Sequence, residues 1–164
     1  LTVAGTPVTG GHHAGELGHV PVREPGLPCP CGQTGCLEVY ASARAIGRAY
    51  AAATGRDDVT SRDVVAALGT DPAADAVWDD ALDALAHALL GAITLLGTER
   101  IVLGGGVMHQ EQLYGIVRKK TLEYLGGYIQ TAELKDMERY ICAPGCGGDQ
   151  GILGAAELAR RALA

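Results

Sequence analysis

The residues with chemistry in them gather between Gly15 and Glu38, in the run GELGHVPVREPGLPCPCGQTGCLE. His19 is followed ten residues later by Cys29, then by Cys31 and Cys36. Two thiolates separated by one residue, a third across a glycine-containing turn and an imidazole just upstream make a closed set of four donors. A Cys₃His set suits a structural, tetrahedral Zn²⁺. Gly26, Pro28, Pro30, Gly32 and Gly35 punctuate the segment, so the backbone can fold back far enough to bring four groups together. The alternative is three free cysteines in an irregular loop. Ligand type, spacing and turn chemistry together favour the metal.

Two carboxylates in the same run are not needed by the metal. Glu16 lies three residues before His19 and Glu38 two residues after Cys36. In a metal-pinned loop they are held close to one another and to an oriented imidazole, where they could accept hydrogen bonds from the hydroxyls of a polyol. The alternative is a solvated Glu16 and a Glu38 that merely occupies the first turn of the next helix, favoured by its dipole. Spacing alone does not choose between them.

E-L-G-H at residues 16–19 with C-P-C-G-Q-T-G-C-L-E at 29–38 closely resembles the signature of the ROK family of sugar kinases and sugar-responsive repressors. The His-to-Cys and Cys-to-Cys spacings match without a gap, and the resemblance runs the whole chain, weaker between about Arg56 and Asp71. It implies that His19, Cys29, Cys31 and Cys36 bind Zn²⁺, and that Glu16, His19 and Glu38 face a bound sugar. His19 then serves both through its two ring nitrogens.

The elements that must position these groups come next. The chain has 164 residues, enough for one domain with a proper core. Hydrophobic residues make up 48% and charged residues 20%, as in an ordinary soluble globular protein. With no Phe, the core must be built from Leu, Ile, Val and Ala. A net charge of −6 leaves no electrostatic footprint for DNA or an anionic membrane. The longest apolar run, residues 88–97, is far short of the roughly 20 residues of a membrane span. Five cysteines, three of them in the metal set, suit a reducing, cytoplasmic compartment. Cys142 and Cys146 read as thiols rather than a disulfide.

Residues 1–10 read as a β-hairpin turning at Gly5. His12 and His13 read as surface histidines rather than a second metal site. A helix is expected over residues 37–54, stopped by Gly55, with Leu37, Tyr40, Ala43, Gly47 and Tyr50 on one face. A short helix over 61–68 is capped by Thr60 or Ser61. Asp71-Pro72 is a helix start, and the helix runs to Leu96 with a stripe of Trp78, Leu82, Leu85, Leu89, Ile93 and Leu96. Trp78 reads as a core or dimer contact.

A short buried strand over 100–103 runs into Gly104, Gly105 and Gly106, and a helix follows over 110–125. Strand, glycine turn and helix is a geometry in which backbone N–H groups approach a phosphate or a nucleotide ring, although a plain tight turn also explains it. No Lys-Ser/Thr follows, so this is not a Walker loop. The run resembles the adenosine-side glycine motif of actin/hexokinase-like ATPases, to which ROK proteins belong. The plan repeats with a strand over 139–142, a loop over 144–149 and a helix over 151–162 with Ile152, Ala156, Ala159 and Leu163 inward. Asp149 either borders the nucleotide or is the N-cap.

The fold expected is α/β, a mixed sheet flanked by helices with a zinc-binding loop, as in the ribonuclease-H-like lobe of actin/hexokinase-like ATPases. The resemblance implies a single domain over 1–164 corresponding to the C-terminal lobe of a ROK sugar kinase. The zinc and sugar loop lies at 15–38 and the nucleotide side at 100–163. The resemblance further implies that the N-terminal lobe, with its catalytic aspartate and first phosphate loop, is absent from these residues. The implied activity is ATP- and Mg²⁺-dependent phosphorylation of a glucokinase- or fructokinase-type hexose, with the fragment alone inactive. The alternative is the sugar-sensing domain of a ROK repressor. A homodimer is expected, with no contact to nucleic acid or membrane.

Overall fold

The computed structural model describes residues 1–8, 10 and 15–163, without the side chain of His109. His12 and His13 lie outside the described residues. The chain divides into two compact units, Leu1–Ala88 and Leu89–Ala164, and the boundary falls inside one long helix.

The first unit opens with β1 (Thr2–Val3) and β2 (Thr6–Pro7), paired antiparallel with Val3 opposite Thr6. The two turn residues, Ala4 and Gly5, both take positive φ, the conformation that matches the twist of a two-residue hairpin. The segment with the four candidate donors follows and leads into α1 (Glu38–Ala41) and α2 (Ala43–Thr54). Where one continuous helix was expected from the alanine-rich pattern, Ser42 interrupts it. Its backbone is extended, and its hydroxyl accepts a hydrogen bond from the N–H of Ala45 at 3.2 Å. A serine competing for backbone donors favours such caps over helix interior, so α1 is a single turn carrying Glu38. Leu37, Gly47 and Tyr50 are buried as expected, whereas Ala43 is exposed and Ile46 is fully buried in its stead. Gly55 closes α2 in the left-handed conformation.

Next is α3 (Ser61–Ala67), started by a capping box in which Thr60 and Asp63 satisfy one another's backbone N–H groups. It packs on α2, where Gly47 admits the Val59–Thr60 backbone; a Cβ there would meet the Val59 carbonyl oxygen at 2.9 Å. Then α4 (Pro72–Leu96) begins as predicted, with the Asp71 carboxylate accepting from the Ala73 N–H at 2.9 Å. Trp78 is 2% exposed, a core residue of this unit and not a surface available for a dimer contact. Leu82, Leu89 and Ile93 are buried, Leu85 is half-buried, and Leu96 is exposed.

The Tyr50 hydroxyl donates to Asp71 at 2.6 Å and ties the end of α2 to the start of α4, with Arg56 stacked over the ring. That bond, then the Ala73 N–H, holds the Asp71 carboxyl below its ordinary range. A carboxylate depressed on folding stabilises above its unfolded pKa of about 4 and loses that contribution as pH falls through the folded value. Tyr50→Phe is therefore expected to lower the melting midpoint by a few degrees at neutral pH. The difference from wild type should shrink below about pH 4, as read from melting curves across that range.

In the second unit β3 (Ile101–Val102) pairs in parallel with β4 (Ile141–Cys142) through a crossover containing α5 (Glu111–Leu125) and the single turn α6 (Met137–Tyr140). The core here includes Leu113, Tyr114, Val117, Leu125, Tyr140 and Ile141. Arg118 donates to the Ile141 carbonyl at 2.9 Å, and Tyr114 to that of Leu103 at 2.7 Å. The strand expected at 139–142 starts only at Ile141, because Asp136 caps a helical turn by accepting from the Arg139 N–H.

Three other expectations are corrected. The described strands form two separate two-stranded sheets, not one mixed sheet. The strand at 100–103 is not buried; with one neighbour only, Ile101 is half-buried and Val102 exposed. Finally, α7 (Gln150–Ala162) buries none of its residues, and Ile152 is 75% exposed. An apolar stripe marks a face without naming what covers it, and no described residue does so here. No helix among the described residues is long and apolar enough to cross a membrane.

Candidate functional site

The loop over residues 15–38 is a folded-back strap held by backbone bonds. A 3₁₀ turn at Leu17–His19 is closed by the His19 N–H on the Glu16 carbonyl at 3.0 Å, which sets Glu16 and His19 on one side. Pro21 bridges Cys36, and Pro28 bridges Thr34. The Val22 N–H donates to Gly35 at 2.8 Å, and the Gly35 N–H donates to Leu27 at 2.8 Å. At the tip, Cys29 accepts from Gly32 at 2.9 Å and donates to Gln33 at 2.8 Å. This last turn is what brings Cys29 and Cys31 to the same side.

The four predicted donors converge: the ligand atoms of His19, Cys29, Cys31 and Cys36 all lie within 4.8 Å of one another. His19 Nδ1 is 3.7 Å from Cys29 Sγ, and Cys31 Sγ is 3.7 Å from Cys36 Sγ. The sulfurs are free thiols, too far apart for a disulfide. A tetrahedron with edges of about 3.7 Å has its centre about 2.3 Å from each corner, the length of a Zn–S bond. The donor set and its spacing thus fit a tetrahedral soft-ligand metal. Cys29 and Cys36 are buried and Cys31 is exposed. The Gln33 backbone N–H, with Cys29 next, lowers the Cys31 thiol to about 7, while burial, then Cys29 and Cys31, pushes Cys36 up to about 12. One thiol of the group readily carries charge and its neighbour resists it, a conflict that a divalent cation removes.

The other ring nitrogen of His19 looks outward. Its Nε2 is 3.6 Å from Glu38 Oε2 and 4.0 Å from Glu16 Oε2, beyond hydrogen-bonding distance of both. The two carboxylates are more than half exposed, so three polar groups converge on a point open to solvent. Glu38 sits in the first turn of α1 and also faces the imidazole.

Sequence reasoning missed Gln33, whose side-chain amide reaches the His19 carbonyl at 3.4 Å, joined there by the Cys36 thiol at 3.5 Å. A polar residue between the second and third cysteines was its only signal. It also missed Arg23, whose partners lie far along the chain.

The nucleotide-side candidates lie in the second unit. Gly104 abuts Pro144, where a Cβ would come to 3.0 Å from the ring, and the Leu103 N–H donates to the Cys142 carbonyl at 2.9 Å. The two glycine loops, 104–106 and 144–149, are therefore neighbours. Gly105 has a positive φ of 91°, and a Cβ on either Gly105 or Gly106 would meet nothing within 4 Å. Asp149 stands at the N-cap position of α7, but its side chain makes no capping bond.

The ROK family model matches residues 2–162. The chain is 34% identical over 153 residues to a fructokinase from Pediococcus pentosaceus, covering 90% of this chain and 47% of the relative. It superposes with a TM-score of 0.74 and 29% identity on a ROK family glucokinase from Streptomyces griseus solved with glucose and AMPPNP, covering 90% of this chain and 52% of that one. A ROK family transcriptional regulator, a homologue of the E. coli MLC protein, superposes with a TM-score of 0.67 and 28% identity, covering 85% and 37% respectively. The chain spans about half the length of the curated relatives it matches. With the metal-type donor set, the outward-facing imidazole and a match along nearly its whole length, the chain belongs to the ROK family.

Proposed function

We propose that this chain is the sugar- and metal-binding lobe of an ATP-dependent hexose kinase. The observation that carries the reading is the double use of His19: Nδ1 lies 3.7 Å from Cys29 in the group with Cys31 and Cys36, and Nε2 faces Glu16 and Glu38. Zn²⁺ bound by His19, Cys29, Cys31 and Cys36 would supply structural closure, not acid–base chemistry. The residues around it do the recognition. Glu38 and Glu16 accept hydrogen bonds from adjacent hydroxyls of a hexose, and the His19 Nε2–H donates a third. An imidazole bonded through Nδ1 keeps its proton on Nε2, so the donor role is fixed.

Gly104, Gly105, Gly106 and Asp149 would form part of the nucleotide face for ATP with Mg²⁺, supported by the contact between their two loops. No residue of the chain is assigned as the base that accepts the hydroxyl proton; an aspartate of a preceding lobe takes that role, and a homodimer is the proposed assembly. The similarity to a fructokinase and a glucokinase supports a hexose substrate of either type.

Calorimetric titration with glucose and fructose tests the sugar face. Glu38→Gln is expected to weaken binding by roughly ten- to a hundredfold, the loss of charge from a hydrogen-bond acceptor, with zinc content unchanged. Equal affinity in wild type and variant would remove Glu38 from the site. The likeness to a transcriptional regulator favours a second reading, a sugar sensor with the same face. ATP turnover by the full-length protein distinguishes the two.

A further inference from the structure

We propose that Arg23 is a positioning residue for this site, acting through α1 and α4 without touching metal or sugar. The inference rests on the metal-and-sugar reading above and extends it to a residue that reading does not use. Arg23 lies midway in the stretch between the first donor, His19, and the second, Cys29. Its guanidinium Nη2 donates to Asp83 Oδ2 at 2.6 Å and to Asp80 Oδ1 at 3.3 Å, both on α4. Its Cζ sits 5.8 Å from the centroid of the Tyr40 ring on α1, and the Tyr40 hydroxyl accepts from the Leu27 N–H at 2.8 Å. Val22, beside it, packs with Leu37, Ala84 and Ala88. The Arg23 side chain is 24% exposed and Asp83 28%, so the bond between them is partly shielded from water, where a charge-assisted bond is stronger, while the bond to Asp80, 59% exposed, is not.

One side chain therefore clasps three pieces: the strap that carries His19 and the cysteines, the turn that carries Glu38, and the long helix beneath. Fixing the middle of the His19-to-Cys29 stretch splits one loop into two short ones and lowers the entropy lost when the donors are gathered. The clasp forms together with the closed strap. Its removal weakens the metal-bound state and leaves the rest of the metal-free unit alone.

The test compares zinc extraction from the loaded chain by a chromogenic chelator. Arg23→Gln and the pair Asp80→Asn with Asp83→Asn are each expected to release zinc about tenfold faster than wild type. The three changes together should be no faster than either set, and Arg23→Lys should recover part of the loss. Melting of the metal-free chain should be the same in all. A merely structural role would lower the metal-free and metal-loaded midpoints alike and is overturning. So is a wild-type rate in Arg23→Gln, or a faster rate in Arg23→Gln that the aspartate changes do not share. Should Arg23→Gln fail to fold, Asp80→Asn alone, on an exposed residue, reads the same coupling at about threefold. A wild-type chain that retains no zinc sinks the metal reading itself, and this inference with it; a zinc-bound wild type with indifferent variants sinks this inference only.

Discussion

Cys36→Ser is expected to weaken zinc retention by about a hundred- to a thousandfold and to leave residues 15–38 without a fixed shape. Cys36 is completely buried, and its sulfur lies 3.7 Å from that of Cys31. It also bridges backbone to Pro21 and donates to the His19 carbonyl, so it stands where the two limbs of the strap meet. A structural zinc site in a small peptide is worth about 10–16 kcal/mol near neutral pH. Removing one of four ligands forfeits about a quarter of that, about 2.5–4 kcal/mol, which is the hundred- to thousandfold stated. The serine hydroxyl is not a zinc ligand at neutral pH and leaves a polar group in a site emptied of water. Metal content after dialysis against a mild chelator reads the loss directly. In melting experiments chelator should lower the wild-type midpoint and leave the variant where it already is. Stoichiometric zinc in the dialysed variant would show that Cys36 packs the strap without ligating.

The donor set was legible because its information is local. Four ligand residues within an 18-residue span, with glycines and prolines between them, restrict one another whatever the rest of the chain does. The hairpin turn, the start of α4 at Asp71-Pro72, the cap at Thr60 and the left-handed stop at Gly55 are local in the same sense. What escaped depends on distance. Arg23 finds Asp80 and Asp83 across 57 and 60 residues, and no periodicity announces a pair so far apart. Ser42 is a contest between helix and cap that the alanine-rich pattern awarded to the helix, whereas the extended backbone at Ser42 goes to the cap. The face of α7 illustrates the general case: Ile152 and Leu163 were expected to point inward and are exposed, so a stripe carries no information about its partner. The proposed sugar face falls between the two. Glu16 and Glu38 were readable as candidates, but their meeting at one imidazole nitrogen needed the strap to be closed in three dimensions.

Gly35→Ala is expected to destabilise the strap by at least about 3 kcal/mol, while Gly32→Ala in the same loop costs about 1 kcal/mol. Both glycines have positive φ, 77° and 94°, so both variants lose the conformational freedom that only glycine has there. Their surroundings separate them. Around Gly32 a Cβ meets nothing within 4 Å, and the strain of the backbone angle is the whole effect. A Cβ on Gly35 would overlap the Arg23 carbonyl oxygen, a backbone atom with no rotamer to give. A Cβ on Gly26 would in turn overlap the backbone of Gly35, which identifies this as the point where the limbs cross. To relieve the overlap the limbs must part, and the bonds from Val22 N–H to Gly35 and from Gly35 N–H to Leu27 go with them. Cys36, the next residue, then leaves the donor set, so Gly35→Ala should release zinc almost as readily as Cys36→Ser although every ligand is intact. Chelator extraction and melting of both glycine variants decide the matter. Equal behaviour of Gly32→Ala and Gly35→Ala would mean that backbone angle alone governs the strap and that the crossing is looser than these contacts require.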